Sequence, residues 1–319
     1  MLTKPAIPRF TTKPKRTGDA TESTSEFLLG SAQRNDENSE GKLRMEDYVI
    51  EKQLGKQHFF KNSIAKMSLF FKGQGSYAVV KLAREKRTGQ KFAIKTYEKF
   101  KLYDATRRRN VKREISLLQD LDHPNIIKLH HTIENTTQIN LVMEMGGQTS
   151  LHSYLKSKLG RRIDEQDAKP VFKQIVQGMK YLHGRNIAHR DIKLDNILLD
   201  EEKRIKIIDF GFSVLIEKDK TMSTFCGTPS YMAPELANKK DYNGSEVDVW
   251  AMGVVLYAIL AGKFPFKGEN DRDLYKKIAR GTYQKIPDVS AEANALIGRM
   301  LRVNPQERPT AAQVIYKFE

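Results

Sequence analysis

The alternation of apolar and polar positions changes character three times along the chain. Residues 1–45 are rich in Thr, Ser, Lys, Glu and Pro, with few large apolar groups. Such a stretch cannot bury enough surface to offset its ordering entropy, so it is expected to be a disordered tail. From Tyr48 onward, short β-branched runs at 77–82 and 91–97, separated by the turn signal Thr88-Gly89, predict an antiparallel hairpin. A helical period follows over 111–121, with Ile115, Leu118 and Leu121 on one face. Strand-like runs return at 126–129 and 139–144. After Gly146-Gly147 the pattern turns helical: Val171, Phe172, Ile175, Val176, Met179 and Leu182 form one stripe, and 248–262, 291–301 and 310–317 are further helices. The expected fold class is α+β. A small antiparallel β-rich lobe with one major helix leads through a glycine hinge into a larger α-helical lobe, with no internal repeat.

Composition narrows the setting. Fifty-five basic against 39 acidic side chains give a formal charge of +16, and 39% of residues are hydrophobic, the profile of a globular chain. The longest uncharged run, 249–262, has 14 residues. That is below the roughly 18 needed to cross a bilayer, so it reads as a buried core helix, and no membrane span is expected. The N-terminus lacks the apolar stretch of a signal peptide. One cysteine, Cys226, excludes an internal disulfide framework and favours a reducing compartment. The expected localisation is therefore intracellular: cytoplasmic, with the nucleus also open. Basic residues are scattered, and the one dense cluster, Arg107-Arg108-Arg109 with Lys112 and Arg113, lies on a predicted helix. With no RNA-reading aromatic motif and no Cys/His finger, no nucleic-acid partner is expected.

Chemistry concentrates in a few short strings. His189-Arg190-Asp191-Ile192-Lys193-Leu194-Asp195-Asn196 lies between the amphipathic helix and the apolar run 197–199, and Asp209-Phe210-Gly211 follows the strand-like 205–208. Upstream, Ala93-Ile94-Lys95 closes a strand and Glu114 sits on the next helix; Ala233-Pro234-Glu235 comes later. Singly, each has a bland reading: a lysine ending a strand is usually solvated, and a lone helical Glu is usually a surface charge. Together, in this order and on these elements, they resemble a eukaryotic protein kinase of the serine/threonine type.

That resemblance implies a two-lobed kinase fold over 46–319, with 46–145 the N-lobe and 146–319 the C-lobe. It implies an enzyme that uses ATP and Mg²⁺ to phosphorylate serine or threonine hydroxyls of protein substrates. Lys95 would contact the α/β-phosphates and be oriented by Glu114. Asp209 and Asn196 would hold Mg²⁺, a hard cation suited to oxygen donors. Asp191 would accept the hydrogen bond of the attacking hydroxyl, and Lys193 would steady the γ-phosphate. Leu54, Gly55, Gly75, Val80, Ala93 and Leu198 would enclose the nucleotide, with Glu144 and Met145 offering hinge backbone groups. Met143 would be the gatekeeper, or ordinary core packing. Glu235 with Arg308, and Asp248, would be structural. A monomer is expected.

The string Thr224-Phe225-Cys226-Gly227-Thr228-Pro229 is similar to activation segments of the calcium/calmodulin-dependent kinase group, especially the AMP-activated and microtubule-affinity-regulating kinases. Ser76-Tyr77-Ala78-Val79-Val80 and Glu246-Val247-Asp248-Val249-Trp250 agree. By that resemblance Thr224 is a regulatory site for an upstream activating kinase. A phosphate there would pair with Arg190 and one basic residue of 107–113. The plainer reading is a solvated loop hydroxyl.

One region departs from the pattern. Residues 56–73, with four lysines, four phenylalanines and no acid, separate Leu54-Gly55 from Gln74-Gly75-Ser76-Tyr77-Ala78-Val79-Val80. Removing them restores a continuous Gly-rich loop. Taking Gly73 as the first glycine instead would put Lys72 where an apolar side chain should cover the adenine. The stretch is read as an insert, or as a retained intron, and an opened loop would weaken ATP binding. A pseudokinase scaffold is therefore the alternative function. Ser150 stands where many relatives carry an acid, although Asp195 keeps one nearby. By the resemblance, Glu319 is expected to fall within the last helix of the fold.

Overall fold

The computed structural model describes residues 43–56 and 78–316. The expected disordered tail lies outside the described residues up to 42, as does the insert apart from Lys56. Where the tail meets the described chain, Arg44 N–H donates to Asp47 Oδ2 at 2.6 Å and Met45–Asp47 form a 3-10 turn, so regular structure begins just before Tyr48.

Five strands form the first sheet: β1 (Tyr48–Lys56), β2 (Ala78–Glu85), β3 (Lys91–Glu98), β4 (Leu129–Glu134) and β5 (Gln138–Glu144), in the order β1-β2-β3-β5-β4, every pair antiparallel. Between β3 and β4 runs α1 (Ala105–Gln119), whose N-terminus is capped by Asp104 accepting from Arg107 N at 2.8 Å. Gly89 closes the β2–β3 turn at φ +70, a left-handed backbone that glycine adopts without a Cβ penalty. One face of the sheet buries Tyr48, Ala83, Phe92, Ile94 and Val142, with Met45 and Ile133 packed against them.

The second half is helical, as expected, and contains β6 (Thr149–Ser150), α2 (Leu151–Lys156), α3 (Glu165–Gly184), β7 (Ile187–Ala188), β8 (Ile197–Leu199), β9 (Ile205–Ile207), β10 (Val214–Leu215), α4 (Pro234–Ala237), α5 (Gly244–Ala261), α6 (Asp271–Arg280), α7 (Ala291–Met300) and α8 (Ala311–Ile315). The apolar run 249–262 lies in α5. This helix is long and apolar enough by composition to cross a membrane, yet most of it is buried within the protein, with Trp250 fully enclosed and stacked on Phe266. It is the core helix of this lobe.

The run 126–129 differs from expectation. Ile126 and Ile127 turn away from the sheet to meet β9: Ile127 N–H donates to Ile207 O at 3.0 Å, and Ile207 N–H to Asn125 O at 2.9 Å. The strand itself starts at Leu129, and this short contact ties the two halves together.

Candidate active site

Lys95 sits in the middle of β3, paired with Val80 on one side and Leu141 on the other, and is 3% exposed. Its Nζ donates to Glu114 Oε1 at 2.6 Å and lies 3.5 Å from Asp209 Oδ1. Tyr97 O–H donates to the other Glu114 oxygen at 2.5 Å. Burial alone would depress the Lys95 ammonium, but Glu114, Tyr97 and Asp209 outweigh it and hold the group charged, well above the usual lysine value. A buried cation with two acids beside it is costly as a packing device. It suits a polyanion placed next to it.

A second cluster surrounds Asp191, which is buried in the loop between β7 and β8. Lys193 Nζ donates to Asp191 Oδ2 at 2.5 Å, and Asn196 Nδ2 donates to the same oxygen at 3.0 Å and to Asp191 O at 2.9 Å. Burial raises the Asp191 carboxyl above the ordinary aspartate value against the opposing pull of Lys193. The loop is fixed from beneath by Asp248 of α5, which accepts from His189 N at 2.9 Å, from Arg190 N at 2.8 Å and from the His183 ring at 3.0 Å. These bonds hold Arg190 at φ +63, a left-handed backbone that a long side chain rarely adopts. The structural role implied for Asp248 is thus present in the geometry. So is the pairing of Glu235 with Arg308, a buried two-pronged bridge at 2.7 and 2.8 Å.

Asp209 joins the two clusters. Burial pushes its carboxyl up, but Lys95, Lys193 and His189 pull it below the usual value, so it stays ionised. Its Oδ1 takes two long contacts, from Lys95 at 3.5 Å and Gly211 N at 3.4 Å, and among the described residues Oδ2 accepts none. Asn196 uses its amide N–H groups on Asp191, which leaves its carbonyl oxygen as a donor atom. A carboxylate oxygen and an amide oxygen make a hard-oxygen set, so these two residues fit Mg²⁺.

The structure places the remaining nucleotide candidates as follows. β1 pairs Gly55 with Val80 and Lys56 with Val79, which puts Leu54 and Gly55 at the end of β1 opposite β2, while Gly75 lies outside the described residues. Ala93 pairs with Leu82 and Met143. The hinge passes very close to β8. A Cβ on Gly146 would lie 2.7 Å from Leu198 Cδ1, and one on Gly147 would lie 2.1 Å from the Leu199 carbonyl, so backbone leaves no room for any residue but glycine at 147. Glu144 commits its N–H to Lys128 O at 3.0 Å and its carboxylate to Lys206 Nζ at 2.7 Å and Lys128 N at 2.7 Å. Met145 follows the last residue of β5 and lies outside the strand ladder.

Thr224 is exposed. Its carbonyl accepts from Tyr242 O–H at 2.6 Å. Among the basic residues at 107–113, Arg113 feels the charge of Arg190: burial and then Arg190 lower its guanidinium below the usual value. Arg107 instead lies over the Tyr103 ring and Arg108 binds the Leu102 and Tyr103 carbonyls.

Tyr97, the second partner of Glu114, was not expected at the site from the sequence, nor were the contacts of Thr228 and Tyr242. Thr228 donates to Asp191 Oδ1 at 3.1 Å and accepts from Lys193 Nζ at 3.2 Å. Tyr242 accepts from Arg190 Nη1 at 2.8 Å.

The sequence pattern of the protein kinase domain family matches residues 71–317. Among curated proteins, NUAK family SNF1-like kinase 2 of Homo sapiens is 39% identical over 278 residues, 86% of this chain and 44% of the relative. The Rattus norvegicus protein of the same name is 41% identical over 268 residues, 83% of this chain and 42% of the relative. NUAK family SNF1-like kinase 1 of Mus musculus is 40% identical over 242 residues, 76% of this chain and 36% of the relative. The chain therefore spans less than half the length of these relatives.

Proposed function

This chain belongs to the protein kinase family, and we propose that it transfers the γ-phosphate of ATP to serine and threonine hydroxyls of protein substrates. The observation that carries this reading is Lys95, buried and charged, held 2.6 Å from Glu114 and 3.5 Å from Asp209. Lys95 binds and orients the ATP phosphates, and Leu54, Gly55, Gly75, Val80, Ala93 and Leu198 enclose the nucleotide, with Glu144 and Met145 presenting backbone at the hinge. Asp209 and Asn196 would hold Mg²⁺, which when bound would neutralise phosphate charge. Asp191 orients the substrate hydroxyl and accepts its proton. Lys193 bonds both Asp191 and Thr228, and its charge would oppose the charge that develops on the transferred group.

Control by phosphorylation at Thr224, through an upstream enzyme or the chain itself, belongs to the same proposal: the phosphate would find Arg190 and Arg113. So do action as a monomer and an intracellular, cytoplasmic setting, the latter supported by the single cysteine.

The test is phosphoamino-acid analysis after incubating the chain with labelled Mg²⁺-ATP and a mixed Ser/Thr/Tyr peptide pool. Label on serine and threonine, absent with Asp191→Asn, is the expected result. Label on tyrosine, or none above the blank, overturns it. A chain lacking 56–73, run alongside, separates an interrupted nucleotide loop from an inactive catalytic centre.

A further inference from the structure

Arg190 stands next to Asp191 and is only 7% exposed, so its charge must be satisfied within the protein, since an unpaired buried guanidinium is strongly unfavourable. Its side-chain hydrogen-bond partners among the described residues are all neutral groups. Nε donates to Phe212 O at 2.8 Å and Nη1 to the Tyr242 hydroxyl at 2.8 Å, with Met222 Sδ at 3.9 Å from Nη1. Tyr242 in turn donates its own O–H to the Thr224 carbonyl at 2.6 Å. The phenol therefore spans two segments, the catalytic loop through Arg190 and the activation segment through Thr224.

The surroundings fix the phenol in that role. Met222 and Tyr242 exchange both backbone hydrogen bonds, Met222 N–H to Tyr242 O at 2.9 Å and Tyr242 N–H to Met222 O at 3.1 Å, so the segment is pinned to Tyr242 by main chain as well. Phe225 packs its ring 6.4 Å from that of Tyr242. Gly227, at φ +111, brings the segment within 3.2 Å of the Arg190 carbonyl, measured from where a Cβ would stand. Burial raises the Tyr242 phenol to about 12, so it keeps its proton near neutrality and remains a donor to Thr224.

Resting on the kinase reading above, we infer that Tyr242 is a positioning residue: its hydroxyl couples Arg190 to the activation-segment backbone at Thr224 and so sets the segment beside Asp191 without requiring charge on the Thr224 side chain. The Thr224 hydroxyl takes no part in this coupling, because the acceptor is its carbonyl. A phosphate at Thr224 supplies a second, stronger tie through charge-assisted bonds to Arg190 and Arg113. The two ties are redundant, and removing one matters most when the other is missing.

The test is a pair of backgrounds, Thr224→Ala and phosphothreonine incorporated at 224, each with and without Tyr242→Phe. In the Thr224→Ala background, Tyr242→Phe should lower kcat/KM for a serine peptide by about tenfold to a hundredfold, the range for a lost buried bond to a charged group, with the KM for ATP changed by less than about twofold. In the phosphothreonine background the same change should cost less than about threefold. Equal losses in both backgrounds, as a misfolded variant would give, or no loss in either, overturn the inference. Amide exchange over 222–228 is read in parallel: it should quicken in Thr224→Ala/Tyr242→Phe relative to Thr224→Ala. Should neither parent exceed the Asp191→Asn blank, the kinase reading fails, and the exchange result alone decides the coupling.

Discussion

The hydroxyl of Thr228 donates to Asp191 Oδ1 at 3.1 Å, while the opposite oxygen of the same carboxylate is held by Lys193 at 2.5 Å. Thr228 also accepts from Lys193 at 3.2 Å, so the three side chains close a ring in which each fixes the other two. Asp191 is thereby aimed by the activation segment as well as by its own loop.

Thr228→Ala removes one hydrogen bond to a buried carboxylate and leaves those from Lys193 and Asn196 in place. We expect kcat/KM for a peptide substrate to fall about tenfold, with the KM for ATP shifted less than about twofold. Steady-state kinetics with each substrate varied in turn checks this. A loss confined to the KM for ATP would place Thr228 elsewhere in the mechanism.

Glu114→Ala leaves Lys95 buried with only the longer contact to Asp209 and strips Tyr97 of its acceptor. Removing one partner of a buried ion pair destabilises by about 3–5 kcal/mol, which urea unfolding would register as a lower midpoint at unchanged slope. ATP binding should weaken as well. Wild-type stability in the variant would mean that Glu114 is dispensable to the fold.

The acid side of the pH–rate profile carries its own signature. Asp191 must be ionised to accept a proton, and burial already raises its carboxyl above the ordinary aspartate value, while Lys193 pulls it down. Lys193→Met removes that pull, so the carboxyl rises further and the acid limb of kcat/KM moves to higher pH. A limb that stays in place, or moves to lower pH, would show that another group governs it.

Arg308→Leu should unfold the helical lobe more readily without touching the chemistry. Glu235 would be left buried and charged, with the guanidinium that also lies 5.0 Å from the Trp250 ring gone. The expected cost is about 3–5 kcal/mol, measured by denaturant unfolding, with residual specific activity per folded molecule retained. An unchanged midpoint would contradict the structural role.

Much of this was legible in the sequence because the chemistry lies in short strings. Lys95, Asp191, Asn196 and Asp209 each sit in a motif a few residues long, and β3, α3 and α5 announce themselves by period or by continuous apolarity. Thr228 stood within the string 224–229, but its contact with Asp191, across 37 residues of chain, was not legible. Tyr242 meets Arg190 across 52. The cluster 107–113 was visible, but which of its members faces Arg190 depends on the phase of α1 and on what packs beside it. α6 escaped because it buries only Leu274 and Ile278, too few for a clear stripe, although its Asn270 cap and the Gly281 that ends it are sequence signals. The run 126–129 read as a strand because its isoleucines are apolar for a different reason, contact with β9.

The most direct measurement is transfer of labelled phosphate from Mg²⁺-ATP to a generic basic protein, with the full chain set against Asp191→Asn. The account predicts label that rises with time for the full chain and stays at background for the variant. Equal labelling by both, in preparations that melt cooperatively, would contradict the assignment of this site to phosphoryl transfer.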